Sequence, residues 1–417
     1  MSALQKIKGF ADLLPPESDV HVRLEQTARD VFSRFGFREI RIPILERTEL
    51  FARSIGEETD VVQKEMYTFA DRKGRSLTMR PEATAGVVRA YIENKLHARE
   101  GVSKLFTAGP MFRYERPQKG RQRQFHQVNA EVLGTDAPQA DAEILLMLWT
   151  YLRRLGLGRL GIEMNSLGCS ECRPVFRERL SAFLSGVDES ALCEDCRRRR
   201  TTNPLRVLDC KVPGCREQVL EAPRTVDHLC PPCAEHYAEV QAILASADLP
   251  VNQNPFLVRG LDYYQRTTFE ILSGEIGAQS AVAGGGRYDG LVRELGGPDI
   301  PGIGFACGME RLALLMGDPG EARLDFYLAV LDDKARNDSL LVAQRLRERG
   351  FSGEVSFEAK SPKSQIRLAN RLGAKTCLFL GSEELAQGRI MVKDMATGAQ
   401  RSVDQNDVEQ ALGLQRD

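Results

Sequence analysis

Residues 105–134 read LFTAGPMFRYERPQKGRQRQFHQVNAEVLG, two strand-like runs on either side of a turn crowded with cations. In the first run Phe112 and Tyr114 alternate with Arg113 and Glu115; in the second Val128, Ala130 and Val132 alternate with Gln127, Asn129 and Glu131. Period-two alternation predicts strands, and side chains two apart share a face. The stretch therefore predicts a hairpin with one apolar, packed face and one face presenting Arg113, Glu115, Gln127 and Glu131. Arg116, Lys119, Arg121 and Arg123 surround the turn, an array suited to a charged ligand. A half-solvated hairpin with its polar residues in water produces the same alternation.

Upstream, Val20, Leu24, Ala28, Val31, Phe32 and Phe35 recur at helical spacing, and Gly36 stands where a C-cap glycine is expected. The next run, FREIRIPILE, has strand character broken by Pro43, which sheets tolerate at edges, strand starts or bulges, so an edge strand is predicted. In LTMRPEATA, 77–85, Pro81 suits the first turn of a helix and Glu82 its dipole. Downstream, 143–155 is apolar at helical spacing and RLGIEMNSLG reads as a strand.

From residue 169 to about 248, Arg and Cys become frequent and leucines take helical spacing, which predicts an inserted helical domain. It contains Cys169-x2-Cys172, Cys193-x2-Cys196, Cys210-x4-Cys215 and Cys230-x2-Cys233. Thiolates at CxxC spacing chelate one ion, and a structural Zn2+ would give a small arginine-rich insert folding energy. Eight thiols allow several groupings; Cys193, Cys196, Cys230 and Cys233 are the favoured set because both pairs follow a leucine in matched LCxxC strings. Arg197, Arg198, Arg199 and Arg200 suit RNA phosphate or a solvated helix face equally.

LVRGLDYY follows at 257–264, then a strand run TTFEIL and SAVAGGGRYDGL at 280–291. Three glycines alone signal a turn or bulge, and the G-K-[ST] end of a Walker A loop is absent. GIGFACGMERLALLM, 302–316, reads as a small-residue strand turning into an apolar helix, with Arg311 in its first turn and so placed for phosphate. From residue 324, apolar strands FYLAVL and KTCLFLG alternate with helices such as NDSLLVAQRLRERG, predicting a small α/β domain with a mostly parallel sheet.

The 417 residues accommodate two to four domains, and no run approaches the roughly 20 apolar residues of a membrane span. The first residues lack the apolar stretch of a secretory signal, so a cytoplasmic protein without a membrane partner is expected. With 57 basic and 58 acidic residues the net charge of −1 gives no global argument for nucleic-acid binding, which must come from local patches. Ten cysteines in such a chain point to reduced thiols or metal ligands rather than disulfides.

FRYERPQKGRQRQFHQ, 112–127, resembles motif 2 of the class II aminoacyl-tRNA synthetases, in the version carried by the histidyl family. The first helix, the strand after it and Pro43 resemble motif 1, whose proline lies at the dimer interface in the family; this implies a homodimer. LTMRPEATA resembles the family's LRPEGTA, with Ala83 in place of its usual glycine; there Glu82 and Thr84 grip the α-ammonium of the amino acid. LVRGLDYY resembles the histidine-specific motif, in which Arg259 reaches the α-phosphate and Tyr264, next to Tyr263, helps hold the imidazole. In that context glycines 284–286 let backbone approach the bound amino acid, with Tyr288 near the ring. GIGFACGMERLALLM is similar to motif 3, and residues 324–417 resemble a class IIa anticodon-binding domain, including its GSEEL turn and IMVKDM strand.

The resemblance covers essentially the full length and implies an α/β multidomain protein. A class II antiparallel-sheet catalytic core flanked by helices is expected over 1–168 and 251–320, the helical insertion domain over 169–250 and the anticodon-binding domain over 324–417. The implied enzyme joins L-histidine to tRNA(His) through a histidyl-adenylate made from histidine and ATP, with Mg2+ on the outer phosphates. By resemblance Arg113 and Arg259 are catalytic; Arg113, Glu115, Arg121 and Arg311 bind ATP; and Glu82, Thr84, Gln127, Glu131, Arg259, Tyr263, Tyr264 and Tyr288 bind histidine. The turn 116–122 is expected to meet the tRNA acceptor end, and Lys360, Lys363, Arg367 and Arg371 suit tRNA phosphates. A non-catalytic histidine sensor of similar fold would lose the arginines and the C-terminal segment, both of which are present here.

Overall fold

The structure is a computed structural model, and it describes residues 4–57, 59–275, 281–317 and 324–413. It divides into two compact units, residues 1–317 and 318–417. The boundary expected near residue 320 lies outside the described residues.

The first unit contains strands β1 (Arg38–Glu39), β2 (Leu45–Arg47), β3 (Tyr67–Ala70), β4 (Ser76–Met79), β5 (Ser103–Phe112), β6 (Gln124–Leu133), β7 (Leu160–Ser166), β8 (Val251–Gln253), β9 (Gln265–Ser273), β10 (Ala281–Arg287) and β11 (Gly302–Gly308). Eight of them form a largely antiparallel sheet in the order β1-β5-β6-β11-β10-β9-β7-β8, and β2-β4-β3 form a small second sheet. The hairpin is its longest ladder, β5 on β6 from Ser103↔Leu133 to Phe112↔Gln124. Val128, Ala130 and Val132 are fully buried in one core with Leu24, Val31 and Phe32 of the helix Glu17–Arg34 and Ile144, Leu148 and Tyr151 of the helix Pro138–Arg154. That apolar face alone explains why the two helices cover one side of the sheet.

Two expectations need correcting here. First, β5 ends at Phe112, so Arg113 and Glu115 lie beyond the strand; Arg113 donates its N–H to the Arg123 carbonyl (2.9 Å) and Tyr114 to that of Glu65 (2.7 Å). The polar face is not in water either, since Asn129 and Glu131 are buried. Second, FREIRIPILE is not one strand. Pro43 falls between β1, at the edge of the large sheet, and β2 in the small one.

Between β7 and β8 the chain runs through the helices Cys172–Ser185, Glu194–Thr202, Leu205–Leu208, Pro213–Gln218 and Pro231–Ser246. The favoured cysteine set is overturned by tertiary structure. Cys230 and Cys233 face Cys169 and Cys172, whereas Cys193 and Cys196 face Cys210 and Cys215. Matched LCxxC strings reflect a shared local geometry, each first cysteine capping a helix, and carry no information about which pairs meet.

The second unit holds β12 (Phe326–Val330), β13 (Gly353–Val355), β14 (Thr376–Leu380), β15 (Arg389–Asp394) and β16 (Gln400–Asp404), ordered β13-β12-β14-β15-β16. β13, β12 and β14 are parallel, while β15 pairs antiparallel with both β14 and β16, so the sheet is mixed rather than mostly parallel in its ladders. GSEEL, expected as a turn, opens the short helix Ser382–Ala386. Cores on both faces, one around Leu328 and Leu378 and one around Tyr327 and Cys377, give the unit its own packing.

Candidate active site

The turn of the hairpin, the start of β10 and the end of β11 border one cavity of about 220 Å3. Arg113, Glu115, Arg121 and Gln127 line it from the hairpin, Arg259 and Glu270 from the segment entering β9 and from β9 itself, and Glu310 and Arg311 from the helix Met309–Met316. Arg113 is fixed by Nε donating to the Pro81 carbonyl (2.9 Å), with its guanidinium over the Phe125 ring. Arg121 pairs with Glu115 and Arg259 with Glu270. Arg311 bridges two elements, donating to the carbonyls of Ala281 (2.5 Å) and Gly120 (3.4 Å).

These cations crowd one another. Burial, and then the charge of Arg121, pulls the Arg311 pKa down; burial also lowers Arg121, with Arg113 opposing its charge. Gln127 and Arg259 each carry a buried polar atom, Oε1 and Nε, with no partner among the described residues. Crowded guanidinium groups and unpaired polar atoms around a cavity are the chemistry of a site for a polyanion.

Behind the cavity lies a buried polar network. Glu82 accepts from the backbone N–H of Thr84 (2.6 Å) and Ala85 (2.9 Å), capping the helix Thr84–Glu93. Thr84 Oγ1 donates to Glu131 (2.8 Å), and the Tyr288 hydroxyl donates to its other oxygen (2.5 Å). The Tyr263 ring packs at 4.6 Å from that of Tyr264 and 5.7 Å from that of Tyr288, and the Arg259 guanidinium lies 5.6 Å from the centre of the Tyr264 ring. Burial pushes the Glu131 carboxyl up to about 8 and raises Glu82 as well.

The structure thus brings the expected site residues together in two groups. Arg113, Glu115, Arg121, Gln127, Arg259 and Arg311 line the cavity; Glu82, Thr84, Glu131, Tyr263, Tyr264 and Tyr288 are buried and do not. Arg259 joins the two through Tyr264. The four cysteines favoured from sequence, Cys193, Cys196, Cys230 and Cys233, lie in the helical segment and line neither group. Glu270, Phe125 and Glu310 were missed. Glu270 had a signal, as the lone charge in the run TTFEIL, and Glu310 accepts from the backbone N–H of His126 (2.9 Å), a pairing no spacing could have suggested.

The glycines differ from expectation. A Cβ at Gly284 would overlap the Arg259 guanidinium, and one at Gly304, opposite Glu131 in the ladder, would overlap its carboxylate. Their absent side chains make room for the site's own residues. Ala83, at the position of the family's glycine, has φ −102° and ψ −27°, a conformation open to any residue.

A second cavity of about 220 Å3 shares Arg113, Glu115 and Arg121 and is also lined by Arg198, Arg199 and Arg206. Arg199 reaches across to Asp60 (2.6 Å), tying the helical segment to the core.

A family model described as Histidyl-tRNA synthetase matches residues 9–312, and one described as Anticodon binding domain matches residues 325–413. The chain is 62% identical over 412 residues to the Histidine--tRNA ligase of Nitratidesulfovibrio vulgaris, covering 99% of each chain. It is 62% identical over 406 residues to that of Solidesulfovibrio magneticus, covering 97% of this chain and 96% of the relative. Among solved structures, the apo histidyl-tRNA synthetase of S. aureus superposes with a TM-score of 0.80 at 34% identity, covering 98% of this chain and all of that one. A Bacillus halodurans structure titled ATP phosphoribosyltransferase regulatory subunit/histidyl-tRNA synthetase shares the fold, with a TM-score of 0.65 at 17% identity over 92% of this chain and 99% of that one.

Proposed function

The chain belongs to the histidyl-tRNA synthetase family, and from that premise we propose how its residues join L-histidine to tRNA(His). The reaction uses ATP and passes through histidyl-adenylate. The histidine carboxylate attacks the α-phosphorus, a new P–O bond forms, and the bond to the β-phosphate breaks to release pyrophosphate. A hydroxyl of the terminal adenosine of tRNA then displaces AMP. No protein nucleophile is needed; the task is to hold the reactants in line and to neutralise charge on phosphate oxygens.

Arg113 and Arg259 take opposite sides of the α-phosphate and are the catalytic residues. Arg311 and Arg121 hold the outer phosphates, and Glu115 the adenine edge. Their convergence on a single cavity is the observation that carries this assignment. Glu270 and Glu310 offer the hard oxygen donors that suit Mg2+, which would neutralise phosphate charge there. Glu82 and Thr84 grip the α-ammonium, Gln127 faces the α-carboxylate, and Glu131, Tyr263, Tyr264 and Tyr288 enclose the imidazole. A pocket built on hydrogen bonds discriminates by about 10⁴-fold or more.

The turn 116–122 meets the acceptor end of the tRNA. The second unit, matched over residues 325–413 by the anticodon-binding model, reads the anticodon, with the exposed Lys360, Lys363, Arg367 and Arg371 placed for phosphate. The protein acts as a homodimer in the cytoplasm. No described helix is long and apolar enough to cross a membrane, and the exposed Ile44 and Leu45 just after Pro43, with the exposed Phe69 of the same small sheet, suit a covered interface. ATP–pyrophosphate exchange with each amino acid, followed by tRNA charging, tests the reading: exchange is expected with histidine alone. Histidine binding without exchange contradicts it.

A further inference from the structure

The eight cysteines of the helical segment form two tight groups. In each, one ligand sulfur from every cysteine lies within 4.8 Å of the other three, two of the four thiols being buried and two half-buried. A tetrahedron of sulfurs around a Zn2+ with bonds of about 2.3 Å has edges of about 3.8 Å. The measured separations are 3.7 Å for Cys169–Cys172, 3.8 Å for Cys169–Cys230 and 3.9 Å for Cys193–Cys210. All eight are free thiols.

The surroundings are those of ligands. The backbone N–H of Cys230 donates to the Cys172 sulfur (3.1 Å), that of Cys193 to the Cys215 sulfur (3.1 Å), and that of Glu171 to the Cys169 sulfur (3.4 Å). Such bonds orient thiolates and offset their charge. Gly168, at φ +67°, turns the chain just ahead of Cys169, and a Cβ there would press on Cys172.

The segment also needs the closure. The second group threads helices of nine, four and six residues, Glu194–Thr202, Leu205–Leu208 and Pro213–Gln218. Helices shorter than about 12 residues are marginal without tertiary support. The first group ties the start of the Cys172–Ser185 helix to the Pro231–Ser246 helix, 58 residues on from Cys172 to Cys230.

We propose that this chain carries two structural zinc ions, one held by Cys169, Cys172, Cys230 and Cys233 and one by Cys193, Cys196, Cys210 and Cys215. Four sulfurs close each site, leaving no position open for a substrate. Binding converts thiols to thiolates and releases their protons. Zinc fits better than iron, because closed tetrahedral sulfur sites suit a metal without redox chemistry and the ligation reaction moves no electrons. The first site is fastened to the histidine-binding segment: Leu167 and Gly168 exchange backbone bonds with Arg266 (2.8 and 2.9 Å), and Arg173 donates to the Tyr264 carbonyl (3.3 Å).

Elemental analysis of the full chain, purified without added metal or chelator, decides the matter independently of catalysis. Two equivalents of zinc per chain are expected. Cys169→Ser and Cys210→Ser, each outside the set favoured from sequence, should each leave one equivalent, and together none. If a variant fails to fold, mercurial titration of the native chain should release two equivalents as its eight clustered thiols react. Less than half an equivalent of zinc in the native chain, iron in its place, or full zinc retention in either single variant overturns the proposal.

Discussion

Arg259 links the cavity to the buried polar network behind it, paired with Glu270, stacked near Tyr264 and lining the cavity beside Gly284. Removing one preorganised donor to developing negative charge costs about 3 kcal/mol, or roughly 10²- to 10³-fold in rate. Arg259→Ala is expected to slow histidine-dependent pyrophosphate exchange by that factor. Arg259→Lys should recover little, because an ammonium cannot make the planar fork; near-normal exchange by the lysine variant would remove the residue from its role. Glu131 gives a pH signature. Burial holds its carboxyl at about 8, above an unfolded value of about 4.3, so its contribution to stability is present below about pH 4.3 and is lost as pH rises through about 8. Free histidine has a ring pKa of about 6.5, so a carboxyl and ring sharing one proton bind best between about pH 6.5 and 8. KM for histidine should rise above pH 8, and Glu131→Gln should abolish that rise. A flat wild-type profile to pH 9 speaks against a shared proton.

Among the elements, β10 illustrates how the fold holds the site. Its last residue, Arg287, is fully buried and bonded to Asp141 on the Pro138–Arg154 helix (2.6 and 2.8 Å), to Asp289 (2.9 Å) and to two carbonyls. Breaking such a pair leaves an uncompensated buried charge, at about 3–5 kcal/mol. Arg287→Leu should lose that much in urea unfolding. Arg293→Ala, whose pair with Asp299 is exposed on both sides, should change stability by less than about 1 kcal/mol; equal effects would contradict this ranking. The hairpin containing Val128, Ala130 and Val132 was legible because its apolar alternation is local. Its end was not, since Arg113 leaves the ladder to meet carbonyls supplied by Pro81 and Arg123, distant or across the turn. Gly284 read as close backbone approach to a ligand and Gly304 as part of a small-residue strand, but both serve as space for side chains that only tertiary contact brings opposite them.

Over the whole molecule, short strings carried the family assignment, because the residues proposed to touch substrate cluster in motifs such as FRYERPQKGRQRQFHQ and LVRGLDYY. Pairings across long separations were illegible: Cys230 meets Cys172 and not Cys193, and Glu310 meets His126, because helix packing rather than spacing decides them. The same long-range folding brings Arg113, Arg259 and Arg311 from three separate segments of the first unit to one cavity. A crystal structure of the full chain with a non-hydrolysable ATP analogue and histidinol tests that convergence directly. Arg113 and Arg259 should contact the α-phosphate and Arg311 an outer phosphate of the same nucleotide. A nucleotide bound with any one of the three turned away from its phosphates would contradict the account.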